Sequence, residues 1–417
     1  MIGEFKRFEV GCRPTRQWHI LRPVTWLLSF PAVWAHRAKI DKTGMPPRLK
    51  PPYFLLCNHN AFMDFKIMTR AIFPHRANYV VAVDGFIKRE WLLRAVGCIG
   101  NRKFVRSISL VRNMLTACSN GDIVALFPEA RYSLCGTFSV LPPSLGKMVR
   151  KMNVPVVTLI MNGHHINSPY WNTKNRKIKP VKSKMQLLFT AEETQTLTID
   201  ELNARLNETF NYDDFKWQKD NKVRVKFKNR AEGLHKVLYQ CPSCLAEFRM
   251  SSQGSSLSCD ECSKTWDMSE YGELSACAGS TEFPHIPDWY EWQRSNVRKE
   301  VQSGTYNWSG EVRIESLPNA KGFVVFPEAG RLTHGVNGFT LTGVYKDEAF
   351  ELHWNVSSLY SCHIEYDYMG RGDCIDLNTE HDTFYLFPDG KDYAVTKLSL
   401  ATEELYVSKT QEEPINV

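Results

Sequence analysis

The sequence has no apolar run long enough to cross a bilayer. Its longest apolar stretch, residues 18–35, is broken by Arg22, Pro23 and Pro31. It also falls short of the ~20 residues that a spanning helix needs. No Gly-x-Ser-x-Gly elbow occurs, which argues against a serine nucleophile of the hydrolase kind. There is no internal repeat and no low-complexity tract, so repeat architectures drop out. No signal peptide is legible in Met1-Ile2-Gly3-Glu4-Phe5-Lys6-Arg7. The twelve cysteines are therefore expected in a reducing cytosol rather than in a disulfide framework.

What is present is enough chain for two or three domains: 417 residues, 43% of them hydrophobic. The net charge of +7 hides a split. Residues 1–230 hold 38 Lys and Arg against 16 Asp and Glu, a balance of +22. Residues 231–417 hold 14 against 29, a balance of −15. A basic half faces an anionic partner such as a phosphate substrate, acidic lipid or nucleic acid; the bland alternative is a solvated basic surface. The stretch 18–35 carries three tryptophans and is flanked by Arg13, Arg16, Arg37 and Lys39. That pattern suits a helix lying in the headgroup region of a membrane. A core helix covering a sheet is the alternative.

From residue 53 an αβ alternation sets in. Strands are expected over Tyr53–Cys57, Tyr79–Val83, Asp122–Phe127, Val154–Met161 and Met185–Thr190. Helices are expected over Ala61–Ile72, from Ser107 to near Gly121, over Ser144–Met152, and from the capping box Thr198-Ile199-Asp200-Glu201 through Phe210. Such alternation predicts an α/β domain with a mostly parallel sheet.

Four stretches of this half carry the chemistry. Asn58-His59-Asn60-Ala61-Phe62-Met63-Asp64 is a His-x4-Asp spacing at the end of an apolar strand. On one continuous helix the two side chains would point about 140° apart. They meet only if His59 sits on the loop and Asp64 in the first helical turn. The carboxylate then holds one ring nitrogen and leaves the other as a base. Gly97-Cys98-Ile99-Gly100-Asn101-Arg102-Lys103 joins small residues to two cations and could approach a phosphate. In Leu126-Phe127-Pro128-Glu129-Ala130-Arg131-Tyr132-Ser133 a strand releases a Glu and an Arg together; a structural ion pair is the plain alternative. Val154-Pro155-Val156-Val157 is a buried strand entry. Cys57 beside His59 raises a Cys–His nucleophile pair, against which stands the inertness of most cysteines that end apolar strands.

In this order the four stretches resemble the blocks of the glycerolipid acyltransferase superfamily, in particular the 1-acylglycerol-3-phosphate acyltransferases. The resemblance covers roughly residues 1–230. It implies that His59 deprotonates a substrate hydroxyl and Asp64 orients it. The oxygen then attacks an acyl thioester, carried by CoA or acyl carrier protein, without a covalent enzyme intermediate. It further implies that Asn58, Arg102, Glu129 and Arg131 serve substrate binding, with Arg102 on the acceptor phosphate. The sequence departs from the family pattern in the third block. Ala130 follows Glu129, Arg131 stands two residues after it rather than three, and Tyr132 takes the third place.

After residue 232 the texture changes. Cys241-Pro242-Ser243-Cys244 and Cys259-Asp260-Glu261-Cys262 are two Cys-x2-Cys knuckles separated by fourteen residues. Four thiolates at that spacing resemble a zinc ribbon with a closed, structural site; disulfides and an iron–sulfur cluster are the alternatives. A helix is expected over 288–302. Short alternating runs from Tyr306 to about Phe387 predict a β-rich domain, and Leu398–Val407 a closing helix. The tail is compatible with a small barrel of the pleckstrin-homology kind. Phe326-Pro327-Glu328-Ala329-Gly330-Arg331 repeats the third block out of context and is read as a hairpin turn.

The expected organisation is an acyltransferase domain over 1–232, a zinc ribbon over 236–278, a connecting helix over 279–303 and a β-rich domain over 304–417. The expected partners are a lysophospholipid, an acyl donor and the inner, cytoplasmic face of a membrane, with no nucleic acid. Two rivals stand: an inactive lipid-binding scaffold, and a nucleic-acid-binding zinc-ribbon protein. The acidity after residue 231 argues against the second.

Overall fold

The computed structural model describes residues 5–16, 19–174, 176–179, 181–390 and 392–412. Trp18, the first residue of the apolar stretch, lies outside them. The described chain forms two compact units. One comprises Glu9–Asn101 and Ser107–Lys226; the other takes the chain up to Phe8, Arg102–Arg106 and everything from Phe227.

The first unit is built on seven strands: β1 (Lys39–Gly44), β2 (Phe54–Cys57), β3 (Ala77–Ala82), β4 (Ile99–Asn101), β5 (Ile123–Leu126), β6 (Val156–Asn162) and β7 (Lys182–Phe189). They lie in the order β1-β7-β6-β2-β5-β3-β4. Every pair is parallel except β6 with β7. Among the described residues nine α-helices accompany them: α1 (Arg22–Ala35), α2 (Met63–Ala71), α3 (Glu90–Ala95), α4 (Ile108–Ser119), α5 (Leu145–Met152), α6 (His164–Asn167), α7 (Ala191–Thr196), α8 (Ile199–Thr209) and α9 (Asp214–Asp220). β2 is central and wholly buried. That is why it reads as an unbroken apolar run rather than an alternation. Phe54 and Leu56 pack with Val124 and Val156 of the neighbouring strands and with Met114, Val149 and Leu206 of α4, α5 and α8. The helices start where local chemistry says they should. Ser107 Oγ accepts from Leu110 N at 3.1 Å, and Thr198 and Glu201 cap reciprocally at 3.2 and 2.8 Å.

α1 is docked by one face only. Ser29 and Val33 are buried, and Trp26 and Phe30 meet Phe73 edge-on at 5.0 and 5.5 Å. Among its described side chains, the outward-facing ones are Pro23, Val24, Leu27, Leu28, Pro31, Trp34 and Ala35, all apolar. No helix among the described residues is long and apolar enough to cross a membrane.

The second unit opens with a four-stranded antiparallel sheet, β8 (Met250–Gln253), β9 (Ser256–Cys259), β10 (Thr265–Met268) and β11 (Leu274–Ala276), in the order β11-β10-β9-β8. α10 (Ile286–Gln302) packs on it through Trp289, edge-on to the buried Trp266 at 5.0 Å. A larger antiparallel sheet follows: β12 (Trp308–Ser316), β13 (Val324–Val325), β14 (Gly330–Gly335), β15 (Gly338–Tyr345), β16 (Glu348–Trp354), β17 (His363–Glu365), β18 (Cys374–Asn378) and β19 (Thr383–Pro388). The order is β16-β15-β14-β12-β19-β18-β17, with β13 also on β12. α11 (Val395–Glu412) closes the chain's described part. The segment 326–331 is not a hairpin turn. β13 and β14 do not pair with each other; both lie along β12, at Glu315–Ser316 and Trp308–Val312 respectively.

Candidate active site

Three neighbouring parallel strands, β6, β2 and β5, release their carboxyl ends side by side. Open α/β sheets place their chemistry at such a mouth. β2 runs into Asn58 and His59, β5 into Phe127 and Glu129, and β6 into Gly163 and His164.

His59 lies on the loop and Asp64 at the start of α2. Asp64 Oδ2 stands 3.2 Å from His59 Nδ1 and accepts from Asn60 N and Ala61 N at 2.5 and 2.9 Å. The loop thus wraps the carboxylate. Burial opposes ionisation of Asp64. Hydrogen bonds from His164 and His59 outweigh it and hold the group below the ordinary carboxylate range. The His59 ring stacks on Phe127 at 3.9 Å and contacts Tyr132 at 4.2 Å. Its side chain keeps 19% exposure, and Nε2 makes no hydrogen bond among the described residues. A ring held at Nδ1 by a carboxylate, with Nε2 open, is arranged as a general base. Cys57 offers no competing nucleophile. It is fully buried within β2, and burial first, then Asp64, pushes its thiol well above the usual range.

The four residues expected to bind substrate are all buried. Asn58 accepts from Met161 N at 2.8 Å and donates to Met161 O at 2.9 Å, clamping the end of β2 to β6. Glu129 accepts from His59 N at 3.1 Å and Ser139 N at 2.7 Å, and Tyr212 OH lies 3.3 Å from its Oε2. Burial lifts its carboxyl to about 7 in spite of these donors. Its two oxygens frame the His59 and Ser139 peptides. Arg131 is buried beside it and its charge favours the ionised carboxylate.

Arg102 is the residue expected on the acceptor phosphate. It belongs to the other unit. There Nη1 donates to Thr383 Oγ1 at 2.7 Å and Leu317 O at 3.3 Å, and Nη2 to His381 O at 2.6 Å and Pro318 O at 3.3 Å. The next residue, Lys103, pairs with Asp376 at 3.4 Å. A guanidinium already spent on four acceptors has no fork left for a phosphate. Arg102→Met is expected to lower the unfolding free energy by about 3 kcal/mol, because it strands buried acceptors. Urea denaturation reads this directly. Unchanged stability with a raised acceptor KM would restore the phosphate-binding role.

The site also contains groups that reading by motif did not single out. His164 Nδ1 makes a very short contact with Asp64 Oδ1. Tyr212 OH donates to Asn60 Oδ1 at 2.9 Å. Asp214 accepts from Gly163 N at 2.9 Å and His165 N at 3.0 Å.

Residues 37–162, from the approach to β1 through the end of β6, match the family model described as Acyltransferase. They form an acyltransferase domain. The match takes in Asn58, His59, Asp64, Arg102, Glu129 and Arg131 and stops two residues before His164. The chain is also similar to the solved structure of the 1-acyl-sn-glycerophosphate (LPA) acyltransferase, PlsC, from Thermotoga maritima. Identity is 14%, the similarity covers 46% of this chain and 76% of that one, and the TM-score is 0.36. No curated protein matches the chain significantly in sequence. Within this domain, the wrapped carboxylate of Asp64 holds an imidazole whose Nε2 is left open.

In the second unit the four cysteines converge. Their sulfurs all lie within 4.8 Å of one another. Cys241 and Cys262 are 3.8 Å apart, and Cys244 and Cys259 3.7 Å. Bonded sulfurs stand about 2.05 Å apart, so neither pair is a disulfide. Such a cluster can hold a metal ion.

Proposed function

We propose that the domain transfers an acyl group from a thioester, acyl-CoA or acyl carrier protein, to the hydroxyl of a lysophospholipid, foremost 1-acylglycerol 3-phosphate. The carrying observation is His59, fixed at Nδ1 by Asp64 and open at Nε2. Nε2 takes the hydroxyl proton as the oxygen attacks the thioester carbonyl. The tetrahedral intermediate collapses, the C–S bond breaks, and the protonated ring returns its proton to the departing thiolate. The ester and the free thiol leave, and the enzyme ends as it began. Asn58 and Glu129 serve this step by fixing the loop rather than by touching the lipid.

The bare apolar face of α1 supports a membrane-surface position. Leu27, Leu28 and Trp34 are 73, 69 and 65% exposed, an unusual display for a helix otherwise surrounded by water. The same reading puts the protein on a cytoplasmic face, in keeping with cysteines that are all unbridged. Four thiolates are the ligand set of a structural zinc site, held by Cys241, Cys244, Cys259 and Cys262. The eight-stranded antiparallel sheet with its terminal helix α11 supports a pleckstrin-homology-like tail as a docking element.

One experiment tests the acyl-transfer and membrane readings. Vesicles of anionic phospholipid are doped with a panel of lysolipids and incubated with radiolabelled acyl-CoA or acyl carrier protein. Labelled diacyl product and co-sedimentation of the protein are both expected. Absence of product with every acceptor and donor would leave the scaffold alternative standing.

A further inference from the structure

Asp64 has two oxygens, and a histidine stands at each. Oδ2 carries His59 Nδ1 and two backbone donors. Oδ1 is taken by His164 Nδ1. His164 is fully buried, and its Nε2 has no hydrogen-bond partner among the described residues. Its contact with Asp64 is therefore the one polar task the ring performs there.

The backbone is shaped to deliver that ring. β6 ends at Asn162, and Gly163 turns the chain at φ +83°. A Cβ at Gly163 would stand 2.7 Å from the Trp217 ring, so only glycine fits both the angle and the space. Asp214 takes the N–H of Gly163 at 2.9 Å and of His165 at 3.0 Å. It thereby holds the residues on either side of His164. Asp214 is itself anchored, its own N–H donating to Gly136 O at 2.8 Å.

We propose that His164 is a positioning residue that occupies the second oxygen of Asp64 and so sets the orientation and proton affinity of His59. The role of His59 in this statement rests on the acyl-transfer reading; the coupling between the two rings does not. Among the described residues, the charged and titratable groups that interact with His164 include Asp64 with His59 beyond it, His36 and Asp214. Among these, only Asp64 is hydrogen-bonded to the ring.

The sign follows from the bond. A donor on Oδ1 withdraws charge from the carboxylate. Remove it, and a buried Asp64 draws harder on a proton at His59. The His59 midpoint then rises, and the fraction of free base at a given pH falls. Asparagine at 164 would keep a donor at the Nδ1 position; leucine would not, and glutamine would carry its amide too far along the side chain.

The full chain, labelled with 13C in its imidazoles, is titrated by NMR as wild type, His164→Leu, His164→Gln and His164→Asn. In the leucine and glutamine variants the His59 midpoint is expected to rise by about one pH unit, which costs about tenfold in kcat below the midpoint. KM should hold, and the lost rate should return at higher pH. The asparagine variant should titrate like wild type. Glutamine supplies the arm with no donor at the Nδ1 position if leucine prevents folding. An unmoved His59 in both the leucine and the glutamine variants would overturn the proposal. So would an asparagine variant displaced as far as they are, since that points to ring volume alone. The titration needs no turnover. A wild type that fails to acylate any lysolipid would count against the acyl-transfer reading and leave the coupling decided on its own.

Discussion

The His59→Ala protein is expected to lose about 10³-fold or more in kcat for lysolipid acylation while remaining folded. The structure separates the two effects. Glu129 holds this residue through its backbone N–H, which alanine retains. Asp64 keeps Asn60 N and Ala61 N, so the loop stays wrapped. Asn58 keeps both its bonds to Met161. What alanine removes is a ring that is one-fifth exposed, together with its stacking on Phe127. That should cost about 1 kcal/mol of stability. The chemical loss is far larger, because the other imidazoles described at this mouth, His164 and His165, are buried. Cys57 lies inside the sheet with its thiol suppressed, and Glu129 is walled off by Ser139, Tyr212 and the His59 peptide. Circular dichroism and a melting curve control for folding, and labelled-product formation gives the rate. Turnover near the wild-type value would overturn the base assignment outright.

Elements backed by a buried apolar pattern were legible. β2, β5 and β6 announce themselves because both their faces are covered, and α8 because Thr198 and Glu201 cap it. β1 was not legible. Lys39-Ile40-Asp41-Lys42-Thr43-Gly44 is nearly all exposed, and it becomes a strand only by lying parallel to β7 at the sheet edge. β4 is three residues long, too short to show any period. The site divides in the same way. His59 and Asp64 are five residues apart, so a spacing argument reaches them. Arg102 takes its partners from Leu317, Pro318, His381 and Thr383. Nothing local to Gly97–Lys103 encodes contacts more than two hundred residues away. His164 did carry a signal of the kind that exposes His59: an apolar strand broken by a polar residue and then histidine. No carboxylate stands at a telling distance from His164 along the chain, so spacing alone does not pair it with Asp64.

Removing the metal from the four-cysteine cluster is expected to unfold residues 241–276 and to lower the melting temperature of the second unit. The two knuckles are built alike. Leu245 N donates to Cys241 O at 3.0 Å, and Ser263 N to Cys259 O at 2.9 Å. Cys241 N reaches Ala246 O and Cys259 N reaches Lys264 O, both at 2.9 Å. Leu245 and Ser263 share a left-handed backbone, at φ 66° and 59°. Each turn thus presents two sulfurs in one geometry. Four ligands at about 2.3 Å from one ion stand about 3.8 Å from each other, which the 3.8 and 3.7 Å separations match. The strands around them have only three or four residues each. Their buried apolar side chains are Met250, Leu257, Trp266, Met268 and Leu274, with Trp289 edge-on to Trp266. A sheet that small is not self-sufficient, whereas a structural zinc site contributes about 10–16 kcal/mol to folding in comparable modules. Cys259→Ser removes a buried ligand and should behave as the chelated wild type does. The checks are one zinc per chain by elemental analysis and a fluorescence change at Trp266 and Trp289 on chelation. Full-length protein that holds no metal, and melts at the same temperature with and without chelator, would overturn the site.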